Sequence, residues 1–435
     1  MRDVLNRREY LKLTTGATGV FALSGCTGNG NGGGNGNGNG NGNGNGNGNG
    51  NGQSAVPLPS ITNRSGPGSE NGIPIAEAEG DLIQYINDED LLDIDLEYHD
   101  RDAAYDPTQI LEVYEAFKNE YEPGMILGDG SPSGHTLAET TAADEILQII
   151  PFGTLSPAVG VENSYHATIS NDYITQNRAA LELIAQEDPG AKVNLIVPPG
   201  NPAGVESAPA LQYAEELDLE RGEVVDHELQ AASADSLMER MAANDVDWAV
   251  HTTGAPAHTV VLSSRAEVYP ELNLVGVGPA CTERRAAQSP DLYEGTYWIS
   301  SMKTFDEVAF GDGPGADVLQ TVWERYRDED LENADPEVAV VDYIRGMAMV
   351  DLARRILEIT LERDADPESG PDLRESLYMI EDYAGWETMA PRTYTEEDPR
   401  GNMAARAYVA GDGEWEFLNE IVLERDDEWL PSEML

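Results

Sequence analysis

Two residue types are nearly missing from this chain, and each absence closes off a class of protein. Of 435 residues only two are cysteines, Cys26 and Cys281. A disulfide-stapled secreted scaffold needs an even set at framework spacings and is excluded. Lysine occurs four times, at positions 12, 118, 192 and 303, and Lys and Arg together number 26 against 80 Asp and Glu, a net charge of −54. Nucleic acid is a poor partner for such a chain, because binding it means neutralising phosphates with Lys and Arg. A membrane-spanning run of roughly 20 apolar residues is also lacking. The apolar stretch near the start, Leu13 to Leu23, is too short for one.

That short stretch has its own meaning. Arg7 and Arg8 precede it, Leu23-Ser24-Gly25-Cys26 follows, and alternating Gly and Asn then run from Gly28 to Gly52. Paired arginines before a mildly apolar segment read as a twin-arginine export signal. Leu-Ser-Gly-Cys is similar to a lipobox, which makes Cys26 the lipidated first residue of the mature chain. Residues 1–26 are therefore expected to be a signal peptide and 27–55 a flexible tether. A coil of the 25 residues Gly28 to Gly52 spans roughly 25–30 Å root-mean-square. With Cys26 assigned to lipid, Cys281 is left alone. No base is identifiable beside it, so a small buried hydrophobe is its expected role.

About 380 residues remain after position 52, enough for two domains. Disorder would explain the acidity only if apolar residues were scarce, yet apolar periodicity runs through nearly the whole body. A fold adapted to molar salt, as in salt-loving archaea, fits better, since the Debye length at 1 M is about 3 Å and self-repulsion is screened.

Strand and helix patterns alternate from Val56. Strands are expected at Asp93–His99, Met125–Leu127, Lys192–Val197, Gly222–Leu229, Val246–His251 and Leu272–Val277. Helices are expected at Thr108–Tyr121, after the Gly128–Gly134 loop to about Gln148, and near Gln176–Gln186, Ala208–Leu217 and Ser236–Ala243. Others follow from about Ala257, at Ala316–Arg327 and at Glu337–Glu362. Ala410-Gly411-Asp412-Gly413 marks a hairpin. The alternation predicts an α/β protein with parallel sheets covered on both faces.

Enzyme signatures are incomplete. Ser300-Ser301-Met302-Lys303 fits Ser-x-x-Lys without the partner motifs of penicillin-recognising enzymes. His251 and His258 lie seven apart with no framework to complete a zinc pattern. Gly128-Asp129-Gly130 matches neither a dinucleotide fingerprint nor a phosphate loop. No metal and no cofactor is expected. What remains is a strand–loop–helix junction at Gly128–Gly134, where a helix N-terminus and the Ser131 and Ser133 hydroxyls offer donors to a carboxylate or carbonyl, or else serve only as caps.

Ile61–Gly68, Glu97–Asp100, Gly128–Gly134, Pro151-Phe152-Gly153-Thr154, Val277-Gly278-Pro279 and Tyr293-Glu294-Gly295 follow one another in a recognisable order. In this the chain resembles the branched-chain amino acid binding proteins of ABC transporters, of the type I periplasmic binding protein fold, over roughly Val56 to Leu418. The resemblance implies two Rossmann-like lobes, 56–169 plus 301–391 and 170–300 plus 392–435, with crossovers near Ile169, Ser300 and Arg392. It implies ligand contacts from Ser131, Ser133, Gly153 and Thr154 on one lobe. From the other it implies Asn201, His251, Thr252, Thr253, Ala280 and Cys281. It further implies a monomer working with an ABC permease and its ATPase subunits, anchored by lipid on the outer face of the cell membrane. Amino acid binders of the family often carry an acid just after Gly-Pro, where this chain has Ala280, and an aromatic-Gly pair where it has Asn201-Pro202-Ala203-Gly204. The ligand is thus an amino acid, an amide, a urea-like compound or a carboxylate. A sensor of the same fold and an exported enzyme are the alternative roles. Asn63-Arg64-Ser65 fits a glycosylation acceptor, expected to stay unoccupied at the edge of the cleft.

Overall fold

A computed structural model describes residues 55–327 and 330–429. Arg7, Arg8, Cys26 and the Gly–Asn tract lie outside the described residues.

Two sheets organise the chain. The first holds β1 (Val56–Thr62), β2 (Leu96–Asp102), β3 (Met125–Leu127), β4 (Leu147–Ile150) and β5 (His166–Thr168) in the order β2-β1-β3-β4-β5, every pair parallel. The second holds β6 (Lys192–Val197), β7 (Glu220–Asp226), β8 (Trp248–Thr252), β9 (Asn273–Val277), β10 (Tyr297–Ser300), β11 (Ala404–Gly411) and β12 (Glu414–Val422), ordered β12-β11-β10-β9-β8-β6-β7. Its strands β6 to β10 are parallel, and β11 and β12 add an antiparallel hairpin. The hairpin turns at Asp412-Gly413, both at positive φ (53° and 81°), the backbone a tight two-residue turn demands.

Burial explains why these segments are strands. β1, β3 and β4 are buried at every position, the continuous pattern of a parallel sheet covered on both faces. Helices supply the cover. The helix Val341–Glu362 lies against Ser69–Asp88 so closely that a side chain at Gly346 would stand 2.6 Å from the Ile75 carbonyl oxygen. The chain passes between the sheets three times: after Thr168, after Ser300, and before Ala404.

Several element boundaries differ from the expected ones for physical reasons. The helix after β3 begins at Ser131, inside the presumed loop, with Pro132 in its first turn, and it stops at Asp144. Glu145 adopts a left-handed conformation there (φ 57°) and returns its N–H to Thr141, which frees Leu147 to start β4. The Ala208–Glu215 segment is a 3₁₀ helix preceded by a separate short helix, Pro202–Ser207. The long helix begins at Val341 rather than Glu337, where Glu283 accepts the Val341 N–H at 2.9 Å.

Candidate ligand-binding site

In open parallel sheets, ligands collect beyond the carboxyl ends of the strands. Here both sheets turn those ends toward one cavity. The loop after β1 and the helix it enters supply Asn63, Pro67, Gly68, Asn71 and Gly72; Tyr105, Asp129 and Phe152 follow β2, β3 and β4. From the second sheet come Pro198, Asn201 and Ala203 after β6 and Leu229 after β7. Thr252, Thr253, Gly254, Pro256 and Ala257 come from the end of β8 and the helix beyond it, and Pro279 follows β9. Tyr173, at the first crossover, completes the wall. The inner space is about 60 Å³, and five of its walls are shared with an outer cleft of about 720 Å³ running past His135 and Glu228. One water needs roughly 10–15 Å³, so the inner space suits a small solute.

The walls are mostly apolar or already hydrogen-bonded. Asn71 Nδ2 donates to Asp342 Oδ2 at 2.8 Å. Thr252 Oγ1 donates to Asn177 at 3.0 Å, and Asn201 Oδ1 accepts the Ala203 N–H at 3.0 Å as a helix cap. Tyr105 is aimed by two consecutive left-handed residues, Ala104 (φ 51°) and Tyr105 itself (φ 61°), a costly backbone for side chains other than Gly. Gly130 (φ 146°) gives the aromatics room, since a Cβ there would stand 3.0 Å from the Phe152 ring.

Two polar groups have no protein partner. Thr253 Oγ1 is one. Asp129 is the other: it is 5% exposed, and neither carboxylate oxygen has a hydrogen-bond partner. Burial raises its carboxyl to about 7, while the nearby Ser133 hydroxyl and the N–H groups of Asp129 and Ser133, which do not reach hydrogen-bond geometry, pull it the other way.

Of the residues singled out by sequence, Asn201, Thr252 and Thr253 line the cavity. The others stand outside its lining. Ser131 Oγ lies 3.4 Å from the Tyr173 hydroxyl, and Ser133 Oγ donates to its own Gly130 carbonyl at 2.8 Å, closing the first turn of its helix. Gly153 packs under the Asn171 carbonyl, and Thr154 is wholly buried with its hydroxyl unpartnered. His251 lies behind Thr252 in a buried histidine group, its Nδ1 3.1 Å from His258 Nδ1 and its ring 5.6 Å from that of His227. Burial lowers the pKa of all three. Ala280 and Cys281 are fully buried beyond Pro279, and burial pushes the Cys281 thiol up. Among the described residues no group of three or more His, Cys, Asp or Glu is placed to hold a metal.

Sequence does not single out Asn71, Tyr105, Asp129, Phe152 or Tyr173 for this wall. Asp129 and Phe152 fall within the quoted landmarks, where the hydroxyl residues beside them drew the assignment.

The two flanks of the cleft are tied across the sheets. Glu206 accepts the N–H groups of Leu155 and Ser156 at 3.0 and 2.9 Å and also bonds the Ser156 hydroxyl. Arg285 grips Glu70 with two hydrogen bonds, one of 2.8 Å from Nε and one from its terminal nitrogen.

Two parallel-sheet lobes closing on a cavity at their strand ends define a two-lobed α/β binding protein. The chain belongs to the Periplasmic binding protein family, which it matches over residues 55–414. Its fold is the type I form, and it is a binding protein, not an enzyme. Among solved structures it is similar to a branched chain amino acid ABC transporter protein from Thermus thermophilus with bound valine. That pair is 21% identical with a TM-score of 0.75, covering 85% of this chain and 96% of the other. It is also similar to a fatty acid ABC transporter substrate-binding protein from Thermomonospora curvata (16% identity, TM-score 0.73, 88% and 96% covered). A leucine binding protein from Thermotoga maritima is a third (14% identity, TM-score 0.68, 85% and 99% covered). No curated protein sequence matches the chain.

Proposed function

We propose that this protein is the solute receptor of an ABC importer, capturing a small polar ligand in the inter-lobe cavity and delivering it to a permease with its ATPase subunits. The observation that carries the reading is the cavity itself, small and lined from the strand ends of both sheets. A ligand touching both walls stabilises the closed arrangement, and a permease can read closure. The lobes in this reading are 56–169 with 301–391 and 170–300 with 392–435, moving as bodies about the three crossovers. Branched-chain amino acids, amides and urea-like compounds are the candidate ligands. The receptor works as a monomer on the outer face of the cell membrane, exported through the Arg7-Arg8 signal, held by lipid at Cys26 and spaced from the membrane by the Gly–Asn tract.

A thermal-shift panel of amino acids, amides, urea and short carboxylates in molar KCl tests this. A ligand at about 100 times its dissociation constant adds roughly 2.7 kcal/mol of stability. A panel in which no compound raises the melting temperature contradicts the receptor reading.

A further inference from the structure

The charge inventory of the cavity narrows the ligand class within the receptor reading, on which this inference rests. Asp129 is the only carboxylate among the lining residues, and no Lys, Arg, His or Glu reaches the wall. Its carboxylate is 5% exposed and both oxygens lack partners. Arg345 does not supply one. It is 1% exposed, lies over the Phe152 ring at 5.3 Å, and is ion-paired with Asp342. A buried carboxylate with no partner is costly, and such groups are found hydrogen-bonded, paired or neutralised.

We infer that the cavity is built for a ligand that presents N–H donors (an ammonium, an amidinium or an amide) to Asp129, and that it discriminates against free carboxylates. Two N–H groups of one such ligand answer both empty acceptor atoms at once. A ligand carboxylate in the same place sets two anions side by side with no cation among the lining residues to separate them, so one of the two must take up a proton before it can bind. The Phe152, Tyr105 and Tyr173 rings and Leu229 form the apolar remainder of the wall, which suits a short branched carbon skeleton behind the donor group. Asp129 is thus a specificity-determining residue.

Isothermal titration calorimetry on the full chain in molar KCl at pH 8, with L-valinamide, isobutyramide and isovalerate as probes, tests this. The expected result is binding of valinamide or isobutyramide with isovalerate at least tenfold weaker. Asp129→Asn is expected to weaken valinamide at least tenfold and to narrow its margin over isovalerate. Because the substitution removes a buried unpaired acid, its melting temperature is expected to equal or exceed that of the parent, which separates lost recognition from lost folding. Isovalerate binding as tightly as the donor probes, or probe ratios unchanged by Asp129→Asn, overturns the inference while leaving the receptor reading intact. Failure of all three probes to bind counts against both.

Discussion

The carboxylate of Glu206 accepts the backbone N–H of Ser156 at 2.9 Å, joining the helix after β6 in one sheet to the segment after β4 in the other. Glu206 is 1% exposed, and its further bonds to Leu155 N–H and the Ser156 hydroxyl meet the demand of a buried charge for several donors. His135 closes the group from the cleft side, its Nε2 2.8 Å from Ser156 Oγ. In the proposed closing motion these bonds break as the lobes separate, which would make them a latch on the closed form.

Replacing Glu206 with alanine removes closed-form bonds without touching the cavity wall. Hydrogen bonds to charged groups contribute about 1.5–3 kcal/mol each, so ligand affinity is expected to fall by roughly tenfold or more for each such bond lost. Small-angle scattering of the unliganded variant should give a larger radius of gyration than the parent. Unchanged affinity together with an unchanged radius contradicts the latch.

Ligand binding should depend on pH through Asp129. Burial raises its carboxyl to about 7 against the pull of the Ser133 hydroxyl and nearby N–H groups; Asp102 adds a little to the rise, and the facing Tyr105 and Tyr173 bring hydroxyls rather than charge. An N–H cation needs the ionised form, which predominates above the raised pKa and is lost below it. Affinity for the cationic form of valinamide, corrected for titration of its own amine, is therefore expected to increase by about tenfold between pH 6 and pH 8. The corrected dependence should vanish in Asp129→Asn, leaving only that of the ligand amine. Calorimetry at the two pH values measures both.

A second buried acid bears on stability alone. Glu79 is 1% exposed beneath Ser60 and Tyr98, which donate to it at 2.6 and 2.9 Å, and burial outweighs those bonds to raise its carboxyl to about 7. A carboxyl raised in the folded state contributes stability that is complete below its unfolded value, near 4.5, and is lost as pH climbs through the folded one. Glu79→Gln should therefore match the parent near pH 4 and gain on it by roughly 2–4 kcal/mol at pH 8. Denaturant unfolding at both pH values reads the difference; a constant offset contradicts the assignment.

A net charge of −54 repels itself, and salt weakens that repulsion, so a salt-adapted fold is expected to depend on it. Dialysis from molar KCl to dilute buffer is expected to abolish near-ultraviolet circular dichroism. A spectrum unchanged by that dialysis contradicts salt adaptation.

The fold was legible where apolar runs are short and sharply bounded. β3 at Met125–Leu127 and β6 at Lys192–Val197 stand where the sequence puts them, because each is a buried run closed by Gly or Pro. Ser131-Pro132 read as loop, although proline in a first turn is a helix-start signal. The site was less legible. Nothing in the sequence announces the paired positive φ angles at Ala104 and Tyr105 that turn the ring into the cavity. Asp129 was hidden by abundance: among 80 acids, only burial and the absence of partners mark it out. Asn71 reaches the cavity from within a helix, a placement set by how that helix meets Val341–Glu362, whose Asp342 accepts its amide, rather than by any local pattern.

Closure of the two lobes on a ligand is the central claim, and an inter-lobe distance tests it most directly. Spin labels at exposed Leu111, beside the first sheet, and exposed Val224, on β7 of the second, can be introduced through cysteine once Cys26 is replaced by serine, because Cys281 is fully buried. Measured by electron double resonance in molar KCl, the distance distribution should narrow and shift when the tightest-binding compound of the stability panel is added at saturation. Identical distributions with and without that compound would contradict capture by closure.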